Sequence, residues 1–156
     1  MATVATGHCN CRLVTVEVNG GLPASSLLCH CLNCRASGGT VFSTNLVVKK
    51  ADIVITGEEH TKVYRDTNTA SGNVACRRFC ASCGRCGRTG RPILLERGRT
   101  DSFLCNPTVT FVESNDETQF LKAGLFGPNS MPPPSSELFK HRAEPWEKLH
   151  EGAEWQ

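Results

Sequence analysis

The sequence predicts a mainly β protein with antiparallel sheets, and three observations lead to that fold class. The chain has 156 residues, which is the size of one ordinary domain. Short runs of β-branched and aromatic residues, bounded by turn residues, recur along it. No stretch before residue 115 has a sustained helical period, which argues against a parallel βαβ architecture and predicts little helix.

The first predicted strand covers residues 12–18, where Val14, Val16 and Val18 alternate with residues of other character. This period of two is typical of a half-buried strand, and the glycines at 20 and 21 then predict a turn. Six more strands are predicted from runs of β-branched and aromatic residues bounded by turn residues. In chain order they cover residues 41–48, 52–56, 61–64, 73–79, 92–95 and 108–113.

The composition changes after residue 127. Met131 is followed by three prolines and two serines, which favour extended backbone. We therefore expect residues 1–127 to form the β domain and residues 128–156 to form a proline-rich linker and a tail that packs on it. A short helix is predicted over 137–141, capped by Ser135 or Ser136, with Trp146 as an apolar anchor.

Charge and targeting signals narrow the class of protein. The formal net charge is +2, from 17 basic and 15 acidic side chains, which argues against a general polyanion binder. The chain begins without a basic, apolar leader, and no run approaches the roughly 18 apolar residues of a membrane span. We therefore expect a cytoplasmic protein that does not act at a membrane. In that reducing compartment, closely spaced cysteines hold metal or act as redox thiols more often than they form disulfides.

Seven of the ten cysteines fall into three groups. Two cysteines one residue apart on an extended segment project to the same side, and two cysteines two residues apart at a turn form a knuckle. Both arrangements suit a tetrahedral zinc ion. The groups are Cys9 with Cys11, Cys29 with Cys31 and Cys34, and Cys80 with Cys83.

The number of cysteines in each group indicates two metal sites. Two pairs complete one four-cysteine site, whereas a triplet leaves one position for water or substrate, as catalytic zinc sites do. Spacing alone does not say which pair joins which. If Cys76 or Cys86 completed the triplet, both sites would be closed and the protein could be purely structural. Otherwise Cys76, Cys86 and Cys105 are expected to be small buried apolar side chains.

Other polar residues give weaker signals. His30 and His8 lie beside cysteines but are expected to point away from a shared ion. Glu58, Glu59 and Asp66 are acidic candidates without a positional argument. Seven arginines, at positions 77, 78, 85, 88, 91, 97 and 99, could recognise an anionic substrate or a nucleic-acid backbone, or could form a solvated face. An aromatic content of 6% leaves few stacking platforms and argues against nucleic acid.

The order of these motifs resembles a known family. The chain contains Gly7-x-Cys9-x-Cys11, then Cys29-His-Cys31-x-x-Cys34-Arg35, then Arg78-Phe79-Cys80-x-x-Cys83-Gly84, and later Leu121-Lys-Ala-Gly124-Leu-Phe126. This order is similar to that of the glutathione-dependent formaldehyde-activating enzyme family, also known as the centromere-protein-V-like family. The chain departs from the family pattern at residues 85–88, and residues 92–118 have no clear match.

The resemblance implies a fold, two zinc ions and a reaction. The fold is an antiparallel β structure of the Mss4-like type. Four cysteines would hold the structural ion, and the triplet would hold the ion at the reaction site and be the catalytic residues. The sets are Cys9, Cys11, Cys80 and Cys83 for the first ion and Cys29, Cys31 and Cys34 for the second. The implied reaction joins glutathione and formaldehyde into S-hydroxymethylglutathione, as a carbon–sulfur lyase does in reverse.

Three functional hypotheses follow. The leading one is a zinc-dependent carbon–sulfur lyase or synthase that acts on a glutathione-like thiol adduct of an aldehyde or another small electrophile. The alternative is a non-catalytic zinc-stabilised module that binds a protein or nucleic acid through the arginine-rich segment or the tail. A redox-sensing thiol protein would instead contain little metal and form a reversible disulfide between Cys80 and Cys83. The oligomeric state is not predicted.

Overall fold

The computed structural model describes residues 3–84 and 109–148. Ten strands and one short α-helix make up this part of the chain, together with four single-turn 3₁₀-helices. The strands are β1 (Val4–His8), β2 (Thr15–Asn19), β3 (Ser26–Cys29), β4 (Ser43–Lys49), β5 (Ile53–Thr56), β6 (Thr61–Asp66), β7 (Ala75–Cys80), β8 (Val109–Val112), β9 (Thr118–Lys122) and β10 (Pro134–Leu138). The helix α1 covers Leu32–Gly38. The 3₁₀-helices cover Lys50–Asp52, Glu58–His60, Ala123–Leu125 and Lys140–Arg142.

The strands form two sheets. The smaller sheet has the order β1-β2-β5 and is antiparallel throughout. The larger sheet has the order β10-β3-β4-β9-β8-β7-β6. Its pairs are antiparallel except for β10 and β3, which run parallel. The predicted mainly antiparallel β class is therefore confirmed, with one parallel pair that the sequence did not indicate.

Apolar side chains from both sheets form the main core. Two of the three valines predicted to share one face of the first strand, Val16 and Val18, pack in a cluster with Leu46, Val109 and Leu121 of the larger sheet. All of these side chains are almost completely buried, which is the dominant stabilising contribution in a domain of this size.

The opposite face of the larger sheet has a different character. Because side chains alternate along a strand, the neighbours of the core residues point away from the apolar cluster. Several of these neighbours are buried although they are polar or charged. They are Ser43 and Asn45 on β4, Lys122 on β9, Thr110 on β8, Arg77 on β7 and Asp66 on β6. We call this set the polar face.

Five predicted strands are confirmed within a few residues, as β2, β4, β5, β6 and β7, and the one predicted over 108–113 is β8. The strand predicted over 92–95 lies outside the described residues. Four strands were not predicted, namely β1, β3, β9 and β10. The helix α1 was also not anticipated, because seven residues are too few to display a helical period.

The helix predicted over 137–141 is wrong. Glu137 and Leu138 belong to β10, whose pairing with β3 satisfies the backbone groups that a helix would have satisfied internally. Only a single 3₁₀ turn follows, at Lys140–Arg142. Trp146 is 70% exposed and is not the apolar anchor that the sequence suggested. None of the helices in the described part of the chain is long and apolar enough to cross a membrane.

Candidate metal and thiol sites

The first cysteine group joins the two sheets. Cys9 and Cys11 lie in the turn that follows β1 of the smaller sheet, whereas Cys80 ends β7 of the larger sheet and Cys83 lies in the turn after it. The four Sγ atoms are all within 4.8 Å of one another. The sequence left the pairing of the groups open, and the fold brings these two pairs together, as the resemblance implied.

Backbone amide groups shape both halves of this site. In the first half, Cys9 donates its backbone N–H to the carbonyl of Val14, and the N–H of Val14 points back at the Cys9 sulfur at 3.4 Å. In the second half, Gly84 donates to the carbonyl of Cys80 at 2.9 Å. A Cβ at Gly84 would lie 2.5 Å from that carbonyl oxygen, so only glycine fits this turn.

The turn after β7 also stabilises the thiolate of Cys80. Burial acts to raise the pKa of Cys80, but the backbone N–H groups of Cys83 and Ser82 and the neighbouring thiols outweigh it and lower the pKa to about 6. Amide groups that point at a sulfur are what a metal-binding thiolate requires, because they stabilise its negative charge.

The spacing of the sulfurs fits one tetrahedral ion. The Sγ atom of Cys11 lies 3.5 Å from that of Cys9 and 3.6 Å from that of Cys80. Bonds of about 2.3 Å to a central zinc ion place tetrahedral ligands about 3.8 Å apart. These separations are far longer than a disulfide bond, and all eight cysteines in the described part of the chain are free thiols. The four cysteines therefore fit a closed zinc site.

The second group lies at the edge of the polar face. Cys29 ends β3, Cys31 is the N-cap of α1, and Cys34 lies in the first turn of that helix. The Cys31 sulfur accepts the backbone N–H of Cys34 at 3.4 Å, so one thiol both caps the helix and faces the other two. The three Sγ atoms lie within 4.8 Å of one another. No fourth histidine, cysteine or carboxylate joins them within residues 3–84 and 109–148.

Hydrogen bonds among the three thiols favour the thiolate at one cysteine and the protonated thiol at another. Hydrogen bonds from the thiols of Cys29 and Cys34 lower the pKa of Cys31 to about 2, since they stabilise its thiolate. The pKa of Cys29 is raised in turn, first because its hydrogen bond to Cys31 favours the protonated form and next because of Cys34. A cation that accepts all three sulfurs would favour the thiolate at each of them, so the donor set also fits zinc.

A buried ion pair supports the helix that carries the triplet. The Arg77 guanidinium donates to Asp66 Oδ2 from Nη2 at 2.9 Å and from Nε at 3.1 Å, and both side chains are buried. Asn33 of α1 donates to the same carboxylate oxygen at 3.0 Å, and Arg77 Nη1 lies 3.4 Å from the Ser37 hydroxyl. These contacts fix α1, and with it Cys34, against the larger sheet.

Lys122 is a second buried cation on the polar face. Its Nζ atom donates to Ser43 Oγ at 2.6 Å and to Asn45 Oδ1 at 2.8 Å. Burial lowers the pKa of Lys122, while negative charge on the cysteine triplet, Cys34 foremost, acts in the opposite direction. Unlike Arg77, Lys122 forms no ion pair with a carboxylate in the part of the chain that the structure describes.

The C-terminal segment holds the triplet from the other side. His30, between two ligand candidates, is only 1% exposed, and its Nε2 lies 2.8 Å from Glu137 Oε1 on β10. Its Nδ1 lies 3.4 Å from a carboxylate oxygen of Glu147. Arg35 donates to the carbonyl of Arg142 at 2.9 Å and forms an ion pair with Glu144. His30 belongs to neither group of metal-ligand candidates and instead forms a buried contact to the C-terminal segment.

The remaining candidate residues either have other contacts in the fold or lie outside the described residues. Cys76 is buried away from both groups and its thiol lies 3.5 Å from Glu113 Oε1, so it does not complete the triplet. Cys86, Cys105 and five of the seven arginines lie outside the described residues. Arg77 pairs with Asp66 and Arg78 pairs with Glu58, so these two arginines are engaged within the fold.

Sequence reasoning missed the polar groups around the triplet. Lys122 lies in a strand with no obvious alternation, and a lysine in a short strand usually marks an exposed face. Ser43, Asn45 and Glu137 gave no signal of their own. Asp66 was noted only as an acidic residue without a position. The one available signal was that Lys122 falls inside a segment resembling the family.

Comparisons with known proteins agree with this geometry. The sequence profile described as "Glutathione-dependent formaldehyde-activating enzyme" matches residues 4–91, more than half of the chain, and includes all seven grouped cysteines. A curated relative from Halomonas elongata, named "Putative glutathione-dependent formaldehyde-activating enzyme", is 33% identical over 81 residues. That match covers 49% of this chain and 50% of the relative, so the chain spans about half the length of that protein. By its profile match, the chain belongs to the glutathione-dependent formaldehyde-activating enzyme family.

Proposed function

We propose that the protein is a two-zinc enzyme of the carbon–sulfur lyase type that joins a glutathione-like thiol to formaldehyde or a similar small electrophile. The observation that carries the proposal is the difference between the two cysteine groups. Four sulfurs close the first site, whereas the second has three sulfurs and no fourth donor within the described residues. A closed site suits a structural ion, and a three-ligand site leaves a position for substrate.

In this proposal Cys9, Cys11, Cys80 and Cys83 hold the structural ion, and Cys29, Cys31 and Cys34 hold the ion at the reaction site. A zinc ion at the second site would lower the pKa of a substrate thiol and so make it nucleophilic at neutral pH. Because three thiolates leave that ion with a net charge of −1, a bound thiol suits the site better than strongly activated water.

The surrounding residues keep the three sulfurs in place. The capping contact from Cys34 to Cys31 and the ion pair beneath α1 limit the motion of the helix. The contact between His30 and Glu137 fixes the segment between Cys29 and Cys31. A rigid site with three ligands would leave one coordination position for the thiol, and the electrophile would have to approach the thiol there.

Exchange NMR tests the proposal, because glutathione and formaldehyde also combine spontaneously and the two species interconvert. The zinc-loaded protein is expected to increase the rate of exchange between glutathione and S-hydroxymethylglutathione in proportion to its concentration. Cys31→Ser should abolish that increase, because it removes one of the three sulfurs. Cys76→Ala is the matched control and should retain it, since Cys76 lies outside both groups. A wild-type protein that leaves the exchange rate unchanged would exclude this reaction.

A further inference from the structure

Lys122 differs from the other buried cation of the polar face. Arg77 is neutralised by a two-point ion pair with Asp66. Lys122 is 5% exposed, and among the described residues its hydrogen-bond partners are the neutral side chains Ser43 and Asn45. Burying a charge is costly, and the negative charge that compensates for Lys122 comes from the cysteine triplet, Cys34 foremost, so the lysine and the triplet belong to one electrostatic unit.

Strand register places Lys122 on the side of the sheet that holds the triplet. Cys29 is paired with Ser43 across β3 and β4, and Asn45 is paired with Lys122 across β4 and β9. Paired residues share a face, and so do residues two apart on one strand. Cys29, Ser43, Asn45 and Lys122 therefore follow one another across the same face, with the lysine two strands away from the cysteine.

The hydrogen bonding of Lys122 leaves one donor for a ligand. An ammonium group has three N–H donors, and Ser43 and Asn45 accept two of them. Asn45 is itself held by a hydrogen bond from its Nδ2 to the carbonyl of Ser43 at 2.9 Å. The amine is thus fixed in direction, and its third donor has no acceptor within residues 3–84 and 109–148.

A second buried group on this face also lacks a partner. Thr110 Oγ1 has no hydrogen-bond partner in the described part of the chain, although the residue is buried. Thr110 is paired with Phe120, which lies two residues before Lys122 on β9, so the two polar groups share the face. Buried polar groups without partners are rare in folded proteins, and a bound ligand or water that completes the bonding is one explanation for such a group.

We propose that Lys122 is the oxyanion-binding residue of the three-cysteine site. This inference rests on the thiol–aldehyde reaction proposed above and assigns the aldehyde oxygen to the third donor of Lys122. A fixed donor aimed at developing charge in a buried site is among the most effective sources of transition-state stabilisation.

The addition of the thiol to the carbonyl needs no oxidant or reductant. A sulfur lone pair forms the carbon–sulfur bond while the π pair of the carbonyl moves onto oxygen, where Lys122 donates a hydrogen bond to the negative charge. The thiol proton has gone to water, and the oxygen takes a proton from water to give the neutral hydroxymethyl thioether. Lys122 is unchanged at the end, and the same contact assists the reverse cleavage.

Mercaptoacetate is a probe that combines a thiol, which suits a zinc ion at the triplet, with a nearby oxyanion, which suits Lys122. Calorimetric titration of the zinc-loaded wild type should give a dissociation constant at least about tenfold lower for mercaptoacetate than for ethanethiol. Lys122→Met should abolish this preference while keeping two zinc ions per chain. Lys49→Met is the matched control, because Lys49 is exposed on the same face of β4 and should leave the preference unchanged.

The rate of adduct formation gives a second readout. Lys122→Met should lower kcat by about 10²-fold to 10³-fold, the usual effect of removing one oxyanion donor. A variant that keeps the mercaptoacetate preference overturns the inference, and so does one that loses the second zinc ion, since Lys122 would then only balance the charge of the site. If Lys122→Met does not fold, Lys122→Gln serves instead. A wild type without turnover refutes the proposed function, but the two-thiol comparison still decides the role of Lys122.

Discussion

The eight cysteines that the structure describes fall into three physical environments. Four of them lie in turns or at a strand end where the two sheets meet, and three lie at or near the start of α1. The eighth, Cys76, is buried beside the carboxylate of Glu113. The remaining two cysteines of the chain lie outside the described residues. Short spacing was enough to predict the groups, because cysteines one or two residues apart can share an ion in few backbone geometries. The pairing of distant groups depended on the fold, and for that the family resemblance was needed.

Replacing Cys34 with serine should remove one ion and leave the other. Cys34 belongs to the second group alone, and it lies on a short helix that Asn33 and Ser37 also attach to the sheet. Elemental analysis is expected to give about one zinc ion per chain in Cys34→Ser, against about two in the wild type. Cys76→Ser should keep two. A Cys34→Ser protein with two ions would show that the triplet is not a metal site.

The residues around the triplet could not be predicted in the same way. His30 is buried because β10 approaches it from a distant part of the chain, and Lys122 is buried because β4 and β9 are adjacent. Neither of these long-range strand contacts produces a local sequence pattern. The sequence around a lysine or histidine does not show whether its side chain is exposed or buried. Cysteine spacing therefore predicts the ligand candidates, but it does not predict the side chains that hold them in position.

At the scale of elements, prediction succeeded where the local pattern was clear. The valines of β2 show period two, and β4 was found because β-branched and aromatic residues are concentrated in its part of the chain. Among the missed strands, β10 begins with a proline and lies in the proline-rich part of the chain. That proline occupies the first position of an edge strand, where a missing N–H costs little, so the proline-rich composition did not exclude a strand.

A substitution at Gly57 tests whether the turn after β5 supports the loop that carries Cys11 of the first cysteine group. The φ of Gly57 is +81°, and a Cβ there would lie 1.9 Å from the carbonyl oxygen of Leu13, in the loop that carries Cys11 towards β2. Gly57→Ala should therefore lower the free energy of unfolding by about 3 kcal/mol or more. Gly72→Ala is the control: its φ is +74° but no atom lies within 4 Å, so it should cost only about 1 kcal/mol.

Urea denaturation monitored by circular dichroism measures both variants. Because the two glycines have similar φ angles, the difference between the variants isolates the clash with Leu13 from the cost of a positive φ. Equal losses of stability would mean that the loop before β2 moves aside freely. The first cysteine group would then not depend on a fixed approach of β5.

For the whole molecule, the two cysteine groups have different structural settings. The first connects the turn after β1 in one sheet to the end of β7 in the other, so an ion there would cross-link both layers of the core. The second lies on the polar face of one sheet, where α1 supplies Cys34. The C-terminal segment packs against it through His30, and residues 109–148 add no ligand to it. A structural ion is expected where it joins layers, and a reactive one where a coordination position stays open.

Zinc X-ray absorption spectroscopy tests this distinction most directly, because it counts sulfur ligands without requiring turnover. If one site is closed and the other open, the zinc-loaded protein should average about 3.5 sulfur ligands per ion, and glutathione should raise the average to about 4. An average of about 4 before any thiol is added, unchanged by glutathione, would mean that both sites are closed by the protein and would contradict the proposed thiol chemistry.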